Sequence, residues 1–381
     1  MIIGFDAKRA YHNGTGLGHY SRTLLQSLAE YYPENTYYLF NPKPGQFEVN
    51  GIGLQEIQPT GFADKLVPGL WRSSGVKKDI RHLKLDIYHG LSHEIPLGIH
   101  KTGVKSVVTI HDLIHERYPL QYNPIDVRIY RKKFRYACNH ADHIIAISEQ
   151  TKSDIIEFYG ISPNKIWVCY QSCNPAFAQI FSEAEKNEVR TLLNLPDRFF
   201  LTVGSIIERK NLLGICKAMN MLGNETSVPL VVIGDGSSYK EKVKEYITRH
   251  NMEDRIIFLS DSHVARTNPA FISAAIFPQI YQSAIAMIYP STFEGFGIPV
   301  LEALMSRCPV ITSNVSSLPE AGGKGAYYID PRKPVQIAEA MRNIMNDPSL
   351  AQSLKDFGTE HALNFTTQKT AERVMNIYKS L

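Results

Sequence analysis

The chain of 381 residues is marked first by what it lacks. It has no apolar run of the roughly 20 residues that a membrane-spanning helix needs. It has no Asp-x-Asp pair of the kind that would hold a metal ion against a diphosphate. Its five cysteines, Cys138, Cys169, Cys173, Cys216 and Cys308, are an odd set with one near pair. That set does not make a disulfide framework and reads as reduced thiols. Cys169 and Cys173 fall on an expected strand and the loop after it, where a metal role is the competing reading. The net charge of +4 is too mild to argue for a nucleic-acid partner. The start, Met1-Ile2-Ile3-Gly4-Phe5-Asp6, reads as a strand and lacks the charged opening and apolar core of a signal peptide. A cytoplasmic location is therefore expected. There is no internal repeat and no low-complexity segment.

What is present is an alternation of short β-branched or aromatic runs with helical stretches, the pattern of an α/β protein. The length exceeds one ordinary core, so two domains are expected. A first series of strands runs from residues 2–6 to 166–170, and a second from 199–203 to 326–329. A polar, proline-broken stretch over 171–177 and a charged helix over 182–193 separate them. The expected domains are residues 1–175, joined by a last helix over 365–381, and residues 176–364. Each reads as a doubly wound, Rossmann-like parallel sheet. In such sheets ligands meet the carboxyl ends of the strands, and a ligand is expected in a cleft between the two domains.

The most informative segment is Glu294-Gly295-Phe296-Gly297-Ile298-Pro299-Val300-Leu301-Glu302. An apolar strand over 284–289 precedes it and an apolar helix near Pro299 follows. Proline suits a helix start, where its missing N–H costs nothing. Glu294 is thus expected on a loop and Glu302 in the first helical turn. The glycines let the backbone pass close to a ligand, and the free amides of the helix start attract an anion. The segment reads as a diphosphate cradle with a carboxylate on each side. The competing reading is a capped turn with two solvated glutamates.

Four further motifs stand at strand ends. Asn13-Gly14-Thr15-Gly16-Leu17-Gly18 follows the first strand. It is not the dinucleotide fingerprint, and no acid ends the next strand, so a nicotinamide cofactor is not expected. Gly16 can still set amides against a phosphate, or the loop can simply cap a helix. His111 ends a strand over 106–110 and serves either as a substrate contact or as a structural histidine. His89/His93 and His111/His115 are each four apart, a spacing that suits zinc only on a helix, which Gly90 and Pro96 argue against for the first pair. Gly204-Ser205 and then Glu208-Arg209-Lys210-Asn211 lead into a helix, where two adjacent cations suit a pyrophosphate or form a solvated surface pair. Gly234-Asp235-Gly236 ends another strand and lets backbone approach a nucleotide base. Finally, Arg128, Arg131, Lys132 and Arg135 share one face of a helix over 126–140. That face touches anionic lipid or is merely solvated.

In this order the motifs resemble the retaining nucleotide-sugar glycosyltransferases of family 4, which have the GT-B fold. The resemblance covers nearly the whole chain and is strongest over residues 289–320. It includes Tyr289-Pro290-Ser291-Thr292-Phe293-Glu294-Gly295-Phe296-Gly297 and Ser313-Asn314-Val315-Ser316-Ser317-Leu318-Pro319-Glu320. It implies that Arg209 and Lys210 bind the donor diphosphate and neutralise the leaving group. Glu302 would hold the ribose hydroxyls and Glu294 the transferred sugar. Backbone at Gly204, Ser205, Gly234, Gly295, Phe296, Gly297 and Ile298 would line the donor. Gly16 would lie on the diphosphate and His111 near the anomeric centre. Glu208 departs from the family pattern, which often has proline there. The resemblance implies a nucleotide-diphosphate sugar (GDP-mannose or a UDP-hexose) as co-substrate, with no other cofactor and no metal. It implies a glycan or lipid-linked glycan acceptor in cell-surface polysaccharide synthesis, peripheral to the inner face of the membrane. An epimerase or phosphorylase on the same scaffold, or a non-catalytic partner subunit, would need other residues at Glu294, Lys210 or Glu302, or a cofactor lysine.

Overall fold

The computed structural model describes residues Met1–Leu381, the side chain of Asn224 excepted. The chain divides into two compact units, Met1–Cys173 with Phe365–Leu381, and Asn174–Asn364.

The N-terminal unit is built on seven parallel strands: β1 (Ile2–Asp6), β2 (Thr36–Phe40), β3 (Leu54–Ile57), β4 (Ile87–Gly90), β5 (Lys105–Ile110), β6 (His143–Ala146) and β7 (Ile166–Val168). Their order is β3-β2-β1-β4-β5-β6-β7, so the winding reverses between β1 and β4. Strand β4 is buried along its length because helices cover both faces. One face packs Leu24, Leu25 and Leu28 with Val374, Met375 and Tyr378 of the last helix, Thr367–Lys379. The other packs Trp71, Ile80, Phe134 and Ile155. Ser148 caps the helix Glu149–Tyr159 by accepting from Thr151 N.

The C-terminal unit repeats the plan with six parallel strands: β8 (Phe200–Val203), β9 (Leu230–Ile233), β10 (Ile256–Phe258), β11 (Ala286–Tyr289), β12 (Val310–Ser313) and β13 (Ala326–Ile329). The order β10-β9-β8-β11-β12-β13 places its reversal between β8 and β11. The charged helix Glu183–Leu192 opens the unit through a capping box of Ser182 and Glu185.

The apolar run before β11 holds two short helices, Pro269–Ile272 and Phe277–Ser283, with Pro269 and Pro278 each in a first turn. Proline at those positions starts helices, so it divides the run rather than ending it. The basic face expected on the helix Pro124–His140 lies at the surface, with Arg128, Arg131, Lys132 and Arg135 exposed. Arg131 meets both oxygens of Glu116, and Arg135 donates to the Phe158 carbonyl.

Candidate active site

The reversal between β8 and β11 is where a doubly wound sheet leaves room for a ligand. The loop after β8 carries Arg209 and Lys210, and the loop after β11 carries Glu294. The structure brings the three together. Arg209 Nη1 lies 2.7 Å from Glu294 Oε2, and Lys210 Nζ lies 3.4 Å from Glu294 Oε1. Backbone ties fix the two loops to each other, since Thr292 N donates to the Arg209 carbonyl at 2.8 Å. Asn211 Nδ2 adds a second tie to the Pro290 carbonyl at 3.3 Å and also meets the Pro331 carbonyl, after β13, at 2.7 Å.

Glu294 is buried and accepts from the Tyr289 hydroxyl at 2.9 Å and the Ser291 hydroxyl at 2.7 Å. Burial pushes its carboxyl up, but the charges of Lys210 and Arg209 and these hydrogen bonds outweigh it and hold it at about 2. Burial likewise works against the Lys210 charge, yet Glu294 and Tyr289 raise its pKa above the ordinary value. Lys210 also donates to the Tyr289 hydroxyl and stands 4.6 Å from the centre of that ring. The site thus holds two fixed cations and one fixed carboxylate.

The loop beyond Glu294 is held from below. Ser316 Oγ accepts from Glu294 N at 3.0 Å, and Ser317 Oγ donates to the carbonyls of Glu294 and Phe296, each at 2.9 Å. The Phe296 side chain is buried. Gly297 takes φ +120, and a Cβ there would stand 3.0 Å from Leu318 Cδ2. It caps the helix Ile298–Met305, whose first turn has no side-chain cap among the described residues. Glu302 is the fifth residue of that helix, in the second turn rather than the first, because the helix begins at Ile298, ahead of Pro299. Its Oε2 accepts from Tyr281 at 3.0 Å. Burial raises its pKa to about 7 despite that bond and the Lys210 charge.

Gly204 and Gly234 stack closely: a Cβ on Gly234 would fall 1.9 Å from the Gly204 carbonyl oxygen. Ser205 is exposed beside them.

Two expected residues belong to the N-terminal unit. Gly16 opens the helix Gly16–Tyr31, and nothing lies within 4 Å of where its Cβ would stand. Asn13 shapes that turn by accepting from Thr15 N at 2.8 Å and Gly18 N at 3.1 Å. His111 follows β5 and is buried, with burial lowering its pKa to about 4. Its Nε2 lies 2.9 Å from the Leu91 carbonyl and its Nδ1 lies 2.9 Å from Gln171 Nε2. A neutral ring donating to Leu91 and accepting from Gln171 satisfies both. A hydrogen bond from a ring nitrogen to a sugar would displace one of them. The His89/His93 and His111/His115 pairs form no metal-holding group of three or more ligands among the described residues. The five cysteines are free and buried.

Sequence reasoning passed over Tyr289, Ser291 and Tyr281, which position the two glutamates. Tyr289 and Ser291 sit in the segment already singled out. Tyr281 precedes it by a strand, and only the fold brings it to Glu302.

Profiles of two families divide the chain: "Glycosyl transferases group 1" matches residues 183–361 and "Glycosyltransferase Family 4" matches residues 14–177. The chain belongs to the family 4 glycosyltransferases. Its fold is GT-B. This glycosyltransferase is 28% identical over 306 residues to O-antigen chain mannosyltransferase B of Escherichia coli, covering 79% of this chain and 76% of that one. It is 24% identical over 365 residues to O-antigen chain mannosyltransferase RfbU of Salmonella typhimurium, covering 94% of each. Among solved structures, Anabaena HepE in complex with UDP and glucose superposes with a TM-score of 0.73 at 17% identity, over 100% of this chain and 99% of that one.

Proposed function

We propose that this glycosyltransferase moves a hexosyl group from a nucleotide-diphosphate sugar to a glycan or lipid-linked glycan, with retention of configuration and without a metal ion, in cell-surface polysaccharide synthesis. Mannose from GDP-mannose leads, because two relatives are named O-antigen mannosyltransferases. UDP-hexoses are the other donors in view.

The observation that carries this reading is the pair Arg209 and Lys210 fixed by Glu294 at the reversal of the sheet. Glycosyl transfer breaks the bond between the anomeric carbon and the diphosphate. Charge grows on the departing oxygens while the sugar becomes oxocarbenium-like. Cations already in place stabilise that charge without reorganising at the moment of reaction. The amides of Gly297 and Ile298 add to them at the helix start. Glu302 is assigned to the ribose hydroxyls and Glu294 to the sugar. Gly204, Ser205, Gly234, Gly295 and Phe296 offer backbone to the donor. Gly16 and His111 keep the diphosphate and sugar roles that the family pattern gives them. The new bond forms from an acceptor hydroxyl to the anomeric carbon, on the face the diphosphate leaves, and the hydroxyl proton passes to the departing diphosphate.

A thermal-shift panel of GDP-mannose, UDP-glucose and UDP-galactose, each with and without EDTA, tests this. One donor should raise the melting temperature equally in both arms. No rise with any donor would sink the reading, and a rise abolished by EDTA would remove its metal-free part.

A further inference from the structure

The N-terminal unit holds a polar cavity of about 350 Å³ at the β2–β3 edge of its sheet. That volume is in the size class of small-ligand pockets. Three elements make it. Tyr11 comes from the short helix Lys8–His12 after β1; Phe47, Glu48 and Asn50 come from the loop after β2; Glu56 and Gln58 come from β3 and its end. The loop is closed over Tyr11, whose carbonyl accepts from Gln46 N at 2.8 Å and Phe47 N at 3.2 Å.

Tyr11 is 7% exposed, yet its hydroxyl has no hydrogen-bond partner among the described residues. A phenol this buried ordinarily finds one, and a bond left unmade costs stability. Burial and the nearby Glu56 charge push its pKa up to about 12, so the hydroxyl keeps its proton and stays a donor.

The rest of the lining sets the chemistry of what fits. Glu56 Oε1 accepts from Asn41 Nδ2 at 2.8 Å and Gln58 Nε2 at 2.6 Å, and Glu48 Oε2 accepts from Asn50 Nδ2 at 3.3 Å. Each carboxylate keeps its other oxygen without a partner among the described residues. None of the described lining residues is basic. Two carboxylates with no cation beside them repel a phosphate, which rules out a nucleotide or lipid diphosphate here. They suit a neutral ligand rich in hydroxyls, since O–H donors to a carboxylate make short, strong bonds. The amides of Asn50 and Gln58 both donate and accept. Arg22 stands 4.4 Å from the centre of the Phe47 ring and steadies it. Phe47 also borders the glycine loop, because its Cζ lies 3.2 Å from where a Cβ on Gly14 would stand.

We infer that this cavity is a subsite for a neutral sugar residue of the acceptor glycan, set back from the residue that receives the hexose. Tyr11 donates to one of its hydroxyls, Glu48 and Glu56 accept from others, and Phe47 packs along the apolar side of its ring. The inference rests on the glycan acceptor proposed above. It adds that the acceptor is read over at least two residues and that the inner one carries no negative charge.

The test is saturation-transfer NMR of the full chain titrated with mannobiose, chitobiose, lactose and cellobiose. At least one disaccharide should bind. Tyr11→Phe should weaken that binding roughly tenfold, the worth of one hydrogen bond. It should not lower the melting temperature, because the hydroxyl has no partner in the protein to lose. Glu48→Gln, at an exposed side chain, should weaken binding as well and keeps the inference testable should Tyr11→Phe not fold. Binding by none of the four, or binding equal to the parent's in both variants, would overturn the inference. So would Ca²⁺ binding that Glu48→Gln removes, which would make the cavity a cation site. The donor-induced rise in melting temperature should be the same in the parent and both variants. Its absence in all three would count against the donor reading and leave the disaccharide titration standing.

Discussion

Arg209 and Glu294 face each other across the reversal of the C-terminal sheet, Nη1 to Oε2 at 2.7 Å, each from the loop at the carboxyl end of a central strand. Neither side chain is placed by its own loop alone. Ser291 and Tyr289 hold the carboxylate, and the Thr292 amide holds the Arg209 backbone. The consequence is a charged cluster that is assembled before any donor arrives.

Glu294→Ala removes the one carboxylate that meets both cations. Transfer should fall by about a hundredfold or more, the usual cost of losing an electrostatic contact at a reacting centre. Stability should fall too, by about 3–5 kcal/mol, because two poorly solvated cations lose the carboxylate that balances their charge. Inorganic pyrophosphate should recover part of that loss in the variant, since it offers the charge the carboxylate supplied. Lys210→Ala should abolish transfer with a smaller loss of stability, as Arg209 still pairs with Glu294. Melting temperatures and transfer rates read both effects. A Glu294→Ala protein as stable as the parent would refute the account of the cluster.

Glu302 should make both stability and nucleotide binding depend on pH. Its folded pKa of about 7 lies above the ordinary 4.5, so the folded chain holds a proton there that the unfolded chain has released. Stability from this group is therefore full below 4.5 and lost as pH rises through 7. Glu294 runs the other way: its depressed pKa adds stability above 4.5, which is lost as pH falls toward 2. If the Glu302 carboxylate receives the ribose hydroxyls, GDP or UDP should bind more tightly at pH 8 than at pH 6. Glu302→Gln should flatten that dependence and make the protein more stable at pH 8. Calorimetric titration of the nucleotide at the two pH values decides it, and an unchanged slope in Glu302→Gln would assign the dependence elsewhere.

The sequence exposed the cluster because its parts are local: a β-branched run, then Gly204 to Asn211, and a second run, then Pro290 to Glu302. Alternating strands and helices likewise announced two wound sheets. Hydrophobic periodicity could not show which strand ends meet, because that depends on strand order, and β8 reaches β11 past two intervening strands in the chain. Tyr281 illustrates the limit. It lies in an apolar run that reads as core, and its hydroxyl gains a role only when the helix beginning at Ile298 folds back over it to present Glu302. The basic helix shows the complement. Spacing put Arg131 and Arg135 on one exposed face, while their partners, Glu116 and the Phe158 carbonyl, come from elsewhere in the chain.

The last helix is tied into the N-terminal sheet by a buried polar chain that spacing also could not reveal. The Tyr378 hydroxyl lies 2.5 Å from His89 Nδ1, His89 Nε2 lies 2.8 Å from Thr109 Oγ1, and Tyr20 reaches the same Thr109 oxygen at 3.1 Å. Burial lowers the His89 pKa to about 3, so the ring is neutral: one nitrogen accepts from Tyr378 and the other donates to Thr109. Tyr378→Phe leaves the accepting nitrogen buried without a donor, which should cost about 1–3 kcal/mol. The apolar contacts of Val374 and Met375 remain, so the helix should stay docked while its amide hydrogens exchange faster. Denaturant unfolding and hydrogen exchange over residues 367–379 read the two effects. If His89→Ala and Tyr378→Phe add without coupling, the bond between them contributes nothing, and the helix is held by its apolar face alone.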